Sequence, residues 1–263
     1  MSFLLVYLLG FAIVLLLMLM VWGTSLLLKD SSIIDIFWGL GFVAVAYTYN
    51  VFSEGFAMRE TIVFVLVILW GVRLSAHLAY RNLPKGEDFR YQKWREQHGD
   101  SYWWISFFRV NLLQGVIMWI VSAPLLAAQF SDTPDSITAL DIIGIVVWAI
   151  GFTFEALGDW QLMQFKRNPA NKGKVMDQGL WRYTRHPNYF GDAMVWWGFF
   201  LIALNTPNGF LTIFSPLIMT FLLMRVSGVA MLERTLKETK PAYKQYIEST
   251  SAFFPMPPKK LES

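Results

Sequence analysis

Long uninterrupted apolar runs constrain this chain more than any other feature of its sequence. The first run, FLLVYLLGFAIVLLLMLMVW, begins at residue 3 and contains no charged residue. A helix needs about 20 such residues to cross the hydrocarbon core of a bilayer, where every backbone hydrogen bond must be made within the protein. The sequence therefore predicts an all-α integral membrane protein.

Seven apolar segments reach or approach that length. They lie at 3–28, 33–53, 61–80, 104–129, 138–164, 188–205 and 208–231. The N-terminal run lacks the basic flank and cleavage site of a signal peptide, so we expect it to remain as the first span. The sequence has no internal repeat, and we expect one domain over 1–263 with a short amphipathic cytoplasmic tail at about 232–263.

The distribution of positive charge orients the predicted bundle. With the N-terminus outside, the cytoplasmic segments are 29–32, 81–103, 165–187 and 232–263, and they hold eighteen of the 22 Lys and Arg residues. By the positive-inside rule this favours seven transmembrane helices, with the N-terminus outside and the C-terminus in the cytoplasm. In a bacterium the protein would lie in the inner membrane.

Composition excludes several kinds of site. The chain has no cysteine, so disulfides, thiolate metal sites and cysteine nucleophiles are impossible. Its three histidines lack the spacing of a histidine metal centre, and we expect no metal.

Two carboxylates fall within the fifth predicted span, where an ionisable group costs at least about 2.5–3.5 kcal/mol. Glu155 and Asp159 are four residues apart and share one helical face that leads to Lys166. This stripe suits a ligand with hydroxyl groups and phosphates. Alternatively, the carboxylates pair with Arg73 or Arg225 and brace the bundle.

The segment 179–192, GLWRYTRHPNYFGD, places a polar cluster at the start of the sixth predicted span. Pro187 suits the first position of a helix, and the free N–H groups of a helix start attract anions. Six Lys and Arg residues lie in the preceding loop, 165–187. These parts suit a phosphorylated nucleotide cofactor, although a solvated basic loop is the simpler alternative.

GLWRYTRHPNYFGD resembles the signature of a bacterial membrane family related to the steroid 5α-reductases. The wider superfamily includes the isoprenylcysteine carboxyl methyltransferases. Four further stretches match the bacterial family: DIFWGLGF, LWGVRL, FEALGDWQLMQFK and KPAYKQYIESTSAFFP. The resemblance thus covers nearly the whole chain.

The resemblance implies an NADPH-dependent reductase that transfers hydride to the C=C bond of a steroid-like 3-oxo-Δ4 substrate. This lipophilic substrate would enter from the bilayer, and NADPH would bind from the cytoplasm. We expect contact with membrane lipids but neither a nucleic acid nor an obligate protein partner. The expected cofactor-binding residues are Arg81, Glu155, Asp159, Lys166, Lys174, Arg185, His186, Asn188, Tyr189, Asp192, Arg225 and Glu233.

Two residues are the expected catalytic positions. Asp35 resembles the acidic residue on the second helix of the reductases, although a carboxylate in the first turn of a helix is also favoured by the helix dipole alone. Trp70 stands on the third helix where the reductases carry a tyrosine. An indole N–H donates a hydrogen bond but is not a proton acid, so either a water or Tyr80 supplies the proton or the substrate differs.

Two other functions compete with the reductase. A membrane methyltransferase would use S-adenosylmethionine, but its relatives typically carry paired glutamates after an arginine in the last region. Here Leu232-Glu233-Arg234 provides only one glutamate. S-adenosylmethionine also has no phosphates to occupy the basic loop. A transporter or lipid-binding protein would explain the charges within the spans but not the GLWRYTRHPNYFGD segment.

Overall fold

The computed structural model describes residues 1–226 and 228–259, and these ranges fold into helices joined by short turns. The helices are α1 (Phe3–Leu28), α2 (Ile34–Phe52), α3 (Ala57–Asn82), α4 (Phe89–His98), α5 (Tyr102–Ser106), α6 (Leu113–Val121), α7 (Ala123–Phe130), α8 (Ala139–Arg167), α9 (Pro187–Leu204), α10 (Phe214–Phe221), α11 (Val229–Thr239) and α12 (Tyr243–Ser249). The predicted all-α class is confirmed for the described residues.

Six helical segments of the described ranges are long and apolar enough to cross a membrane. They are Phe3–Leu28, Ser31–Phe52, Ala57–Lys85, Phe89–Phe130, Ala139–Arg167 and Gly209–Val226. By these lengths and compositions the chain is a multi-pass membrane protein.

The sixth predicted span, 188–205, is helical but is not one of these six. It corresponds to α9, which has 18 residues and carries Asn188 and Asp192 in its first two turns. These polar residues lower the mean hydropathy of the helix. The predicted count of seven spans is therefore not confirmed, nor is the orientation that was argued from it.

The fourth span starts earlier than the sequence suggested. The apolar run predicted 104–129, whereas helical structure extends from Phe89 to Phe130, with a π-helical turn at Phe107–Leu112. Its first part, α4, reads FRYQKWREQH and has polar side chains all around it, so hydropathy does not reveal it. Asp88 caps α4 by accepting a hydrogen bond from the Arg90 backbone N–H at 3.0 Å.

The chain forms two compact units. The first comprises Met1–Asp141 and Ala203–Ser215. Within it, α2 and α3 approach so closely that a Cβ on Gly39 would lie 2.0 Å from the Gly71 carbonyl oxygen. A side chain at Gly39 would therefore force the two helices apart.

A buried ion pair links α3 to the start of α8 within this first unit. Arg59 Nε donates to Asp141 Oδ1 at 2.9 Å, and both side chains are 1% exposed. Asn205 Nδ2 donates to the other carboxylate oxygen at 2.9 Å. The additional hydrogen bonds compensate for the burial of both charges.

The second unit comprises Ile142–Ile202 and the chain from Pro216 onward. Glycines seven residues apart line the contact between α8 and α9 in this unit. A Cβ on Gly151 would lie 2.6 Å from the Gly191 carbonyl oxygen, and a Cβ on Gly191 would lie 2.3 Å from the Glu155 backbone nitrogen. Because the two backbones are this close, short polar side chains on the two helices reach one another.

The predicted tail packs on the rest of the second unit as far as the structure describes it. Beyond α11 and α12, residues 250–259 run beside the segment that precedes α9. Met256 N–H donates to the Tyr183 carbonyl at 2.9 Å, and Arg185 N–H donates to the Ser251 carbonyl at 2.9 Å. The end of the predicted tail, 260–263, lies outside the described residues.

Candidate functional site

A polar cluster surrounds Asp35 in the first turn of α2, in the first unit. Tyr91 of α4 donates its phenolic O–H to Asp35 Oδ1 at 3.3 Å. Arg90 Nη2 lies 3.7 Å from Asp35 Oδ2. Tyr91 is 5% exposed, so this phenol is largely shielded from solvent.

The cluster continues from Tyr91 into the fourth span. Gln114 Nε2 donates to the Tyr91 oxygen at 3.5 Å, and Gln114 Oε1 accepts a hydrogen bond from Trp38 Nε1. Asp35, Tyr91, Gln114 and Trp38 therefore form one chain of hydrogen bonds. Because the single Tyr91 O–H is already donated to Asp35, it can be given to a ligand oxygen only if it turns away from the carboxylate.

The loop before α4 holds the start of α2 in place. Glu87 Oε1 accepts from the Ser31 backbone N–H at 2.7 Å and from Arg95 Nη2 at 2.8 Å. The Asp88 backbone N–H donates to Ser32 Oγ at 3.2 Å. These contacts fix the helix start that carries Asp35.

Trp70, a predicted catalytic residue, is buried and packs against an aromatic ring. Trp70 is 1% exposed, and its ring centroid lies 5.6 Å from that of Phe42. Tyr80, the other predicted proton source, is 56% exposed. Tyr91, which the sequence did not single out, is the hydroxyl that contacts Asp35.

The second unit contains the polar contact expected between α8 and α9. Glu155 and Asp159 are buried on α8, at 3% and 6% exposure. Asn188 Nδ2 donates to Asp159 Oδ1 at 3.0 Å. The Asn188 side-chain oxygen is buried and has no hydrogen-bond partner, so it is a ready acceptor for an N–H group of a ligand.

Arg185 forms the centre of a second polar cluster in this unit. Its Nε donates to Glu233 Oε1 at 2.7 Å, and its Nη1 donates to the carbonyls of Ile247 (3.1 Å) and Thr250. His186 Nε2 lies 3.2 Å from the same Glu233 oxygen. The Arg185 side chain is 7% exposed and serves acceptors within the chain, which differs from the ligand contact that the sequence suggested.

These contacts determine the charge state of Glu233. Burial alone would raise the pKa of this carboxyl. The hydrogen bonds from His186 and Arg185, together with the Arg185 charge, outweigh burial and lower the pKa to about 2. Glu233 is therefore a carboxylate at neutral pH.

A pocket of about 530 Å³ lies beside Glu233 in the second unit. Its lining residues belong to the end of the last candidate span, to α11 and to the segment after α12. They are Met224, Arg225, Val229, Glu233, Lys237, Glu238 and Ala252. The lining thus combines two cations and two carboxylates with three apolar side chains.

The remaining expected cofactor residues are spread over both units. Arg81 is exposed at the end of α3 in the first unit, and Lys166 and Lys174 are exposed in the second. Tyr189 stacks on His186, with ring centroids 5.6 Å apart and an interplanar angle of 8°. Asp192 lies one turn beyond Asn188 on α9.

Comparison with known proteins gives matches over most of the chain's length. Residues 21–250 match the family described as a protein of unknown function, DUF1295. An uncharacterized protein of Schizosaccharomyces pombe is 25% identical over 268 aligned residues, which cover 89% of this chain and 75% of that protein. No solved structure gives a significant match.

A shorter match concerns a protein with a named activity. A probable O-methyltransferase of Ustilaginoidea virens, ustE, is 41% identical over 46 residues. The aligned stretch covers 18% of this chain and 16% of that protein.

Proposed function

The chain belongs to the DUF1295 family, and from this premise we propose that it is an NADPH-dependent membrane reductase. It would transfer hydride to the C=C bond of a steroid-like 3-oxo-Δ4 enone. The matched family includes steroid 5α-reductase-like proteins, which is the family that the sequence motifs resemble.

The hydrogen-bonded contact between Tyr91 and Asp35 carries this proposal. When hydride adds to the β-carbon of an enone, negative charge develops on the carbonyl oxygen. In the structure the single Tyr91 O–H donates to Asp35 Oδ1, and Gln114 Nε2 donates to the phenol oxygen. We propose that, when the substrate binds, this O–H turns to the enone carbonyl oxygen while Gln114 keeps its hydrogen bond to the phenol oxygen. The proton that completes the reduction would pass from the Tyr91 oxygen, in place of the tyrosine that the reductases carry at the position of Trp70.

The residues of the second unit fit a dinucleotide in part. NADPH, when bound, supplies the hydride. The unpaired Asn188 oxygen suits an amide N–H donor, and the exposed Lys166 and Lys174 suit phosphate groups. Arg185 and His186 would act by positioning the loop before α9 and not by contact with phosphate, because both face Glu233.

The cellular arrangement follows from the same proposal. We take α9 as a seventh span, with the N-terminus outside and the basic loops in the cytoplasm, where NADPH is available. The substrate would enter from the bilayer. In a bacterium this places the enzyme in the inner membrane.

The test is a ligand titration of the detergent-purified protein. A ligand at 100 times its dissociation constant raises the free energy of unfolding by about 2.7 kcal/mol. We expect NADPH to raise the midpoint of thermal unfolding and S-adenosylmethionine to leave it unchanged. If S-adenosylmethionine raised this midpoint and NADPH did not, the proposal of a reductase would be overturned.

The match to the probable O-methyltransferase supports a second candidate, a methyltransferase that uses S-adenosylmethionine. It has fewer supporting observations, since the aligned stretch covers only 18% of this chain. The same titration distinguishes the two activities.

A further inference from the structure

We propose that the pocket beside Glu233 binds an ammonium–phosphate zwitterion, and that its ligand is the headgroup of a phosphatidylethanolamine-type lipid. This site does not use Asp35 or Tyr91, the residues proposed for the reduction. It assigns Arg225 and Glu233 to a lipid, although the sequence placed them with NADPH.

The side chains around the pocket argue for a zwitterion. Arg225 and Lys237 supply two positive charges, and Glu233 and Glu238 supply two negative charges. Glu233 is already paired with Arg185 through Oε1, so Glu238 supplies most of the attraction for a ligand's cationic group. A ligand with one anionic and one cationic group would pair with the two cations and with Glu238, beside the Glu233 carboxylate.

Glu233 is a preorganised acceptor for the cationic group. Its Oε1 is held by Arg185 and His186, so the carboxylate has a fixed position before any ligand binds. Its low pKa keeps it ionised at neutral pH. Binding therefore loses little side-chain entropy at this residue.

The position of the pocket along the chain argues for a lipid. Met224 and Arg225 end the last candidate span, Gly209–Val226, and the pocket continues onto α11 directly after it. Leu217 and Phe221 of the same span are 52% and 59% exposed. Acyl chains can lie along these side chains while the headgroup occupies the pocket.

The side chains around the pocket favour ethanolamine over choline. An ethanolamine ammonium donates three hydrogen bonds, which two carboxylates can accept. A trimethylammonium group cannot donate any and is usually held by aromatic rings, and none of the residues described as lining this pocket is aromatic. A glycerol headgroup has no positive charge to offer Glu238.

Native mass spectrometry of the purified full-length protein tests the proposal. The protein is mixed with equal amounts of phosphatidylethanolamine, phosphatidylcholine and phosphatidylglycerol that share the same acyl chains. We expect the ethanolamine lipid to be retained preferentially. Glu238→Gln and Lys237→Gln should each reduce that preference by about threefold to fivefold, because exposed ion pairs are weak.

Lys244→Gln is the matched control. This lysine is exposed on α12 and does not line the pocket, so its loss should leave the preference unchanged. Equal retention of the three lipids, or an unchanged preference in Glu238→Gln, would overturn the proposal.

Two competition experiments identify the source of the ligand. Soluble glycerophosphoethanolamine should displace the lipid weakly, and displacement as strong as that by the intact lipid would overturn the lipid assignment. Displacement of the lipid by NADPH or S-adenosylmethionine would show that the pocket binds a cofactor and would overturn the lipid assignment. If NADPH does not bind the protein at all, the proposed reductase function is overturned, whereas the preference for the ethanolamine lipid is unaffected.

Discussion

At the scale of single residues, Asp35 and Tyr91 make the most specific chemical prediction. Tyr91→Phe removes the proton donor, and Asp35→Asn removes the carboxylate that holds it. We expect each variant to lower enone turnover by about 100-fold, as is typical for loss of a general acid, with little change in NADPH affinity. Steady-state kinetics and an NADPH titration measure both quantities.

Tyr80→Phe is the control for that prediction, because Tyr80 is exposed on α3. It should keep the activity of the unmodified protein. If Asp35→Asn and Tyr91→Phe also keep it, neither residue takes part in the reaction.

Glu233 gives a prediction about pH. Its folded-state pKa of about 2 lies below the 4.5 of an unperturbed glutamate. The ionised carboxylate therefore stabilises the fold above pH 4.5, and this contribution, about 3 kcal/mol, is lost as the pH falls from 4.5 towards 2. Glu233→Gln should be less stable at neutral pH and lose less stability across that window. An equal loss of unfolding free energy between pH 4.5 and pH 2 in the unmodified protein and in Glu233→Gln would contradict this.

Sequence analysis predicted Asp35 and Asn188 as site residues but not Tyr91. Asp35 and Asn188 lie in motifs and stand out as polar groups in apolar runs. Tyr91 lies in α4, whose polar surface looks like a loop, and its contact spans 56 residues along the chain. The hydrogen bond between Arg185 and Glu233 could not be predicted from the sequence either. The two residues come together only when the folded chain brings α11 against the loop before α9.

At the scale of elements, the contact between α8 and α9 depends on glycine. Gly191→Ala would place a Cβ 2.3 Å from the Glu155 backbone nitrogen, and the resulting overpacking should cost about 1–3 kcal/mol. Gly23→Ala in α1 is the control, since a Cβ there meets nothing within 4 Å. That control should gain about 0.5–1 kcal/mol from its higher helix propensity. If Gly191→Ala and Gly23→Ala had the same midpoint of thermal unfolding, the result would argue against close packing at Gly191.

At the scale of the whole molecule, the open question is whether α9 crosses the membrane. The chain has no cysteine, so each introduced cysteine is a unique label. Asp135, Lys172 and Pro207 are exposed. If α9 is a seventh span, Asp135→Cys and Pro207→Cys should react with an impermeant thiol reagent from outside, and Lys172→Cys only from inside. Reaction of Pro207→Cys from the same side as Lys172→Cys would show that α9 does not cross.

The membrane class and the helix positions were accessible from hydropathy because the bilayer imposes length and apolarity directly. Predicted and observed bounds agree within a few residues for α1, α2 and α8. The bounds of α9 also agree, at Pro187–Leu204 against the predicted 188–205, although its polar side chains keep it out of the six candidate spans. Hydropathy fails at α4, where polar side chains interrupt the apolar pattern. The two clusters around Asp35 and Arg185 lie beside these two helices.

Hydride transfer itself is the most direct test of the proposed reductase. The purified protein is incubated with a 3-oxo-Δ4 steroid and NADPH that carries deuterium at the transferable position of its nicotinamide ring. The account predicts a saturated product with one deuterium at the former β-carbon, formed far more slowly by Tyr91→Phe. Bound NADPH with unlabelled or unreduced substrate, for this steroid and a panel of simpler enones, would contradict it.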